Sequence, residues 1–395
     1  MRGNELLDKM ELIDPAYVEA ADTVAKRKKN VFIKWGAIAA CLCLVAAGAV
    51  RFAQQNVPPH PDNPDLAPIT IPELFSGMGF EGYLVYDASE LDNGNPWSKD
   101  MNITSLPVYK NGSYDSSGAG VPVGLSEEEM IDRLNFAVST LDLEVLSTET
   151  ISDGFAGNSS ETNPSTVPTQ IVAHTDNGTV YISADGGISY CLPDEGLALP
   201  PEYNFTANNT SADEAENALS YLIDVYDDFL GFAAPSVISS GDYNFYGELN
   251  RMYKAYDASG DTLEDILNYN FCSTLFLPNE KGRLFAVVTS PGLLLAEKLG
   301  DYPVLTVKEA AKRLAAGNYQ TSAPYAFSNK SSIGKVELVY RTGRLEEVLL
   351  PYYRFYVLLP DEAVQNGLKC YGVYYVPAIA DEYIANMPIY DGHFN

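Results

Sequence analysis

The feature that most limits how this chain can fold is an apolar run near its start. Val31 to Ala53 reads VFIKWGAIAACLCLVAAGAVRFA, and its uninterrupted part, Trp35 to Val50, is 16 residues. As a helix that part covers about 24 Å at ~1.5 Å per residue, against a hydrocarbon core ~30 Å thick. The flanks make up the difference. Lys34 and Arg51 can extend their charged ends to the headgroups, which lets Val31–Ile33 and Phe52 join the span. Lys26, Arg27, Lys28 and Lys29 precede the run, and basic residues stay on the cytoplasmic side. The run therefore predicts a single-pass cell-membrane protein, with its N-terminus cytoplasmic and its C-terminal domain extracellular. Two other readings stay open. Ala47-Gly48-Ala49 has the small residues of a signal-peptide cleavage site, and Ile38-Ala39-Ala40-Cys41 has the local pattern of a lipobox. Each of them also exports the rest of the chain.

That run divides the 395 residues into segments. Residues 1–30 form a head. Its stretch NELLDKMELI sets Leu6, Leu7, Met10 and Ile13 at helical spacing on one face, and Asp14-Pro15 opens a second helix. A piece this small buries no core of its own, so the apolar face of Leu6, Leu7, Met10 and Ile13 is read as partner-binding, toward a cytoplasmic regulatory protein. Lying on the inner membrane surface is the other use for such a face. Residues 54–72 contain Pro58, Pro59, Pro61, Pro64, Pro68 and Pro72 and read as an extended tether. Three α+β modules are expected beyond it, at 73–200, 201–300 and 301–395.

Charge excludes one class of partner. The chain holds 53 acidic against 25 basic residues, a formal net charge of −28, and residues 52–395 hold 47 acidic against 17 basic. A surface of that sign repels phosphate backbones, so nucleic acid is not an expected partner. Cysteine is sparse. Cys191, Cys272 and Cys370 lie far apart, with neither the number nor the spacing of a disulfide framework or zinc ribbon.

Three helices share one start signal. Ser126 with Glu129, Ser211 with Glu214 and Thr306 with Glu309 are capping boxes, in which hydroxyl and carboxylate each satisfy a free backbone N–H. Strands are expected at Gln170–Ala173 and Thr179–Ser183 around Asp176-Asn177-Gly178, and at Leu275–Leu277 and Leu284–Val288 around Asn279–Gly282. Lys335–Tyr340, Tyr352–Leu358 and Tyr371–Val376 read as a closing meander. The expected fold class is α+β, with antiparallel sheets each covered by an amphipathic helix, preceded by the single transmembrane helix.

Catalytic signatures are scarce. The three histidines, His60, His174 and His393, share no helical face, which leaves no zinc-protease pattern. Ser116–Gly120 lacks the lysine of a phosphate-binding loop, and the acidic loop from Asp257 to Asp265 has Thr262 where a calcium hand needs glycine. No enzyme, cofactor or metal is expected. Tyrosine is the unusual abundance, 27 in all. On the closing strands, Tyr352, Tyr356 and Tyr374 are candidate ligand-binding residues for cell-wall glycan or peptide should their face turn outward. Ordinary strand packing is the alternative.

The motifs Pro303–Ala311, Gly317–Tyr319, Val336–Tyr340, Pro351–Val357 and Tyr371–Pro377, with Gly79–Tyr83, Asn95–Trp97 and Leu106–Tyr109, resemble a family of uncharacterised single-pass membrane proteins of Gram-positive anaerobes. Residues 301–395 are similar to PepSY-like domains, and the head resembles the cytoplasmic heads of anti-sigma factors. The resemblance implies an extracytoplasmic regulatory or sensory protein that couples an outer binding domain to a cytoplasmic partner. The alternative is an envelope binding or adhesion module without signalling.

Overall fold

The computed structural model describes residues 66–71, 81–114, 124–152, 168–244, 246–328, 330–343, 345–359 and 367–392. The head with Leu6, Leu7, Met10 and Ile13, the apolar run 31–53 and the tether up to residue 65 lie outside the described residues. Among the described residues no helix is long and apolar enough to cross a membrane. The longest helices among the described residues have 14 residues, about 21 Å at ~1.5 Å per residue, and each is amphipathic. The expected single-pass topology is corrected on that finding.

Element order follows from local signals and distant pairings. Strand β1 is Gly82–Val85 and β2 is Ser105–Asn111, followed by helix α1, Glu127–Thr140. Then come β3 (Val145–Ile151), β4 (Gln170–Thr175), β5 (Gly178–Ser183) and β6 (Ile188–Cys191). Helix α2 (Ala212–Val225) runs into the short α3 (Asp227–Leu230), before β7 (Pro235–Ile238), β8 (Gly241–Tyr243), β9 (Leu249–Arg251) and β10 (Lys254–Asp257). Helix α4 (Thr262–Phe271) precedes β11 (Ser273–Pro278), β12 (Leu284–Thr289) and β13 (Ala296–Pro303). Helix α5 (Val307–Ala315) leads to β14 (Gln320–Thr321), β15 (Ile333–Tyr340), β16 (Val348–Leu349), β17 (Pro351–Leu358) and β18 (Lys369–Pro377).

All three capping boxes are formed, at the starts of α1, α2 and α5, and Asp261 caps α4 by accepting from Leu263 N and Glu264 N. The strands make three antiparallel sheets. One has eight strands in the order β3-β4-β5-β6-β12-β11-β10-β7. A second runs β15-β17-β18-β1-β8-β9, with β14 also on β18, and the third is β13-β2-β16. Each sheet draws strands from more than one of the stretches 73–200, 201–300 and 301–395. β1 pairs with β18 through Gly82–Gly372 and Tyr83–Tyr371, and β2 pairs along its whole length with β13.

The cores explain the layers. Met130, Leu134 and Ala137 of α1 and Ala218, Leu219 and Leu222 of α2 pack on Ile171, Val180, Ile182, Phe276 and Val287 of the eight-stranded sheet. The central strands β17 and β18 of the seven-stranded sheet are buried on both faces. Tyr353, Phe355, Tyr374 and Val376 meet Ile266, Phe271, Ala310 and Leu314 of α4 and α5 on one side. Tyr352, Tyr356, Val373 and Tyr375 meet Ile69, Ile71, Leu91, Tyr302 and Leu350 on the other. The expected architecture of sheets each covered by a helix after a membrane helix is therefore overturned. The molecule is mainly antiparallel sheet. β17 and β18 are apolar or aromatic at successive positions, so both their faces need cover, and extended segments supply it on the side away from α4 and α5.

Candidate functional site

The three tyrosines singled out from sequence do not share a surface. Tyr352, Tyr356 and Tyr374 are 0%, 1% and 1% exposed. Tyr352 and Tyr356 stand four residues apart on one face of β17, whereas Tyr374 pairs with Phe355 and so lies on the opposite face. Their hydroxyls are used differently. Tyr356 donates to Glu337 Oε2 at 2.9 Å and Tyr374 donates to the Tyr325 carbonyl at 2.8 Å. Tyr352 Oη is buried with no hydrogen-bond partner among the described residues.

What Tyr352 and Tyr356 border is a buried cluster of charge. The register aligns Glu337, Arg354 and Tyr375 across β15, β17 and β18, with Lys335 opposite Tyr356. Arg354 reaches Glu337 Oε2 through Nη2 at 2.7 Å and Nε at 3.2 Å. Lys335 Nζ meets Oε1 at 2.6 Å as an ion pair, off the direction of a well-aligned hydrogen bond. The Glu337 side chain is only 2% exposed. Burial alone would raise its pKa, but the Arg354 and Lys335 cations outweigh that and hold the carboxyl below its usual range. Arg354 stays charged, its guanidinium 5.2 Å from the centroid of the Tyr356 ring.

A second pair closes the same face. Arg341 Nη2 lies 2.6 Å from Glu346 Oε1, with the guanidinium over the rings of Tyr375 and Tyr352 at 5.3 and 5.9 Å. Here burial prevails, and the Glu346 carboxyl is pushed up. Nearby, Lys254 Nζ donates to the Tyr269 carbonyl and sits 4.8 Å from the Tyr269 ring. Burial and then the Arg354 charge bring that amine down to about 8. The Glu337 and Glu346 carboxylates each meet a cation, and Glu81 Oε2 accepts from the Tyr375 hydroxyl at 2.7 Å, so the cluster acts as a clamp holding β15, β17 and β18 in register. Sequence reading missed these residues. The signal was present: Glu337 and Arg354 are charges set among aliphatic and aromatic neighbours in VELVY and YYRFY.

The remaining candidates are dispersed. His174 is exposed, its Nε2 3.7 Å from Glu149 Oε1. No group of three metal-ligating side chains is positioned to hold an ion among the described residues. Asp257 accepts from Ala234 N and Ser259 N, and with the Asp261 cap this accounts for the acidic loop as turn and helix start. Cys191, Cys272 and Cys370 form no disulfide with one another. A cleft of about 410 Å³ lies between Met101–Ser105 and the start of α4, and one of about 260 Å³ is lined by Asn111, Asp185, Phe271 and Thr342. The first includes Ser105, Asp261 and Thr262, and its Asp261 carboxylate is engaged in capping α4.

One surface is open by construction. β3 ends the eight-stranded sheet, pairing with β4 on one side and with no strand on the other among the described residues. Six of its seven residues are exposed, Leu146 by 65% and Val145 by 40%. Side chains on both its faces are uncovered, and an edge strand leaves alternate N–H and C=O groups pointing outward, ready to pair with another chain. A bulge between Val145 and Ser147 turns Leu146 out of the ladder.

No protein-family model matches this chain, and no curated protein matches it. Among solved structures, the crystal structure of an uncharacterized protein from Eubacterium rectale ATCC 33656 is similar at 12% identity with a TM-score of 0.31. That match covers 70% of this chain and 84% of the other, and a likeness so distant carries no argument about fold or function.

Proposed function

We propose that this chain is a non-catalytic binding protein of the regulatory or sensory kind, which takes up an extended segment of another polypeptide along the outer edge of β3. The observation that carries the reading is that edge: seven residues of strand, exposed on both faces and unpaired outward among the described residues. Strand addition draws affinity from main-chain hydrogen bonds and selectivity from alternate side chains. The charged cluster supports the reading indirectly. With Glu337 held by Lys335 and Arg354 and Glu346 by Arg341, it ties strands together and rigidifies a scaffold. Tyr352, Tyr356 and Tyr374 lie in the core, which lends no support to a glycan platform on those rings. The apolar face of Leu6, Leu7, Met10 and Ile13 offers a second contact, for a regulatory protein such as a sigma factor, as its helical spacing suggests.

Two measurements test this. Amide hydrogen exchange on the full chain, with and without a bound polypeptide, is expected to show new protection at 145–151. A partner that binds while those amides exchange unchanged would overturn the edge as the site. For the head, a pull-down that recovers the same partners after deletion of residues 1–25 would remove its role.

A further inference from the structure

We infer that the segment taken up by β3 is cationic, with lysine or arginine at two adjacent positions. This rests on the strand-addition reading above and adds the chemistry of the partner. Between residues 124 and 152 the chain carries seven acidic residues, Glu127, Glu128, Glu129, Asp132, Asp142, Glu144 and Glu149, against the single Arg133.

Two of those acids flank the open edge on its opposite faces. Glu149 projects from β3 with 60% of its side chain exposed, on the face shared with His174. Thr150 points to the other face, toward α1, where its hydroxyl donates to Glu127 Oε1 at 2.9 Å. A strand laid against β3 places successive side chains on alternate faces. Cationic side chains one residue apart therefore meet Glu149 on one side and Glu127 on the other, as cross-strand opposite-charge pairs do. At the far end, Val145 and Leu146 offer apolar contact. The length of β3 limits the paired segment to about seven residues, roughly 24 Å at ~3.4 Å each.

Other occupants fit less well. Two copies of this chain pairing antiparallel through β3 about Thr148 would set Glu149 of each diagonally across one face, like charges within reach of each other. The chain's own residues 153–167 contain Asp153 and Glu161 and no lysine or arginine.

The test uses the full chain and three blocked eight-residue peptides of one alternating Thr/Val pattern, carrying two lysines, two glutamines or two glutamates at the same adjacent positions. A fourth peptide keeps the lysines but has a central proline that forbids strand pairing. The expected result, by fluorescence anisotropy at 50 mM salt, is lysine binding at least ~10-fold tighter than glutamine, with the glutamate and proline peptides weakest. The combined Glu127→Gln and Glu149→Gln variant should erase most of the lysine preference, and Leu146→Lys should weaken the lysine peptide, while amides 145–151 become protected on binding. Equal affinity for lysine and glutamine peptides, with those amides protected, overturns the charge inference and leaves strand addition standing. No protection with any peptide overturns strand addition itself. Equal binding of the proline and lysine peptides marks diffuse attraction to an acidic protein and overturns both. A concentration-dependent dimer that buries 145–151 assigns the edge to a second copy and overturns the cationic partner.

Discussion

Glu337 and Glu346 stand on the same sheet system, each within 2.6–2.7 Å of a cation, yet their environments drive their titration in opposite directions. Glu337 is held below an ordinary carboxyl, so its contribution is fully present above the unfolded value of about 4.3 and is lost as pH falls through the folded value. Glu346 is held above it, so ionising Glu346 costs the fold stability as pH rises through its folded value. Glu337→Gln should therefore cost roughly 3–5 kcal/mol at pH 7, since it strands Arg354 and Lys335, and the loss should shrink below about pH 4.3. Glu346→Gln should cost less at pH 7 than Glu337→Gln, because burial disfavours the Glu346 charge more than Arg341 offsets it. Urea unfolding midpoints at pH 7, 5 and 3.5 measure both. The buried tyrosines give a second comparison. Tyr356→Phe removes a bond to an ionised carboxylate and should cost about 1.5–3 kcal/mol, whereas Tyr352→Phe removes a hydroxyl with no described partner and should change stability by less than ~0.5 kcal/mol. Equal losses in the two variants would contradict the hydrogen bonding described. Residue types were readable in this region and partners were not. Nothing in the spelling of YYRFY says that Glu337 faces Arg354 across a strand pair.

Elements with a local cause were legible. A hydroxyl and a carboxylate three residues apart mark the starts of α1, α2 and α5, and Asp176-Asn177 turns β4 into β5, with Gly178 opposite Thr175 at a φ of 121°. Such a cap acts only on its own helix, and Ser211→Ala should destabilise the molecule by about 1 kcal/mol in chemical denaturation. A negligible loss would show that packing of Ala218, Leu219 and Leu222 fixes α2 without help from its end. Elements with a distant cause were missed. β13 reads AEKLGDYP, without alternation or β-branched residues, and is a strand because β2 pairs with it from Ser105 to Asn111. β3 carries Val145, Thr148, Thr150 and Ile151, a fair strand composition, yet no apolar face, so alternation did not reveal it.

At the scale of the whole molecule, distant strands share sheets, which no local pattern announces. The central strands β17 and β18 come from the last hundred residues, but β18 is paired on its far side by β1, and β1 in turn by β8 from the middle of the chain. The face that carries Tyr352 and Tyr356 is covered by Ile69, Ile71 and Leu91, and the opposite face by Ile266 and Phe271, all outside residues 301–395. A fragment of 301–395 would expose a strand edge on β18 and apolar surface on both faces, and it would lose the Lys335 bond to the Leu91 carbonyl. Such a fragment should not fold alone: its amide proton spectrum should be poorly dispersed and its heat unfolding should lack a cooperative transition. Adding residues 66–300 as a separate chain should restore dispersion, because that piece holds β1, β8 and the helix face of α4. A well-dispersed, cooperatively melting fragment would mean that the final strands satisfy both faces among themselves, contrary to the pairings of β1 and the packing of α4.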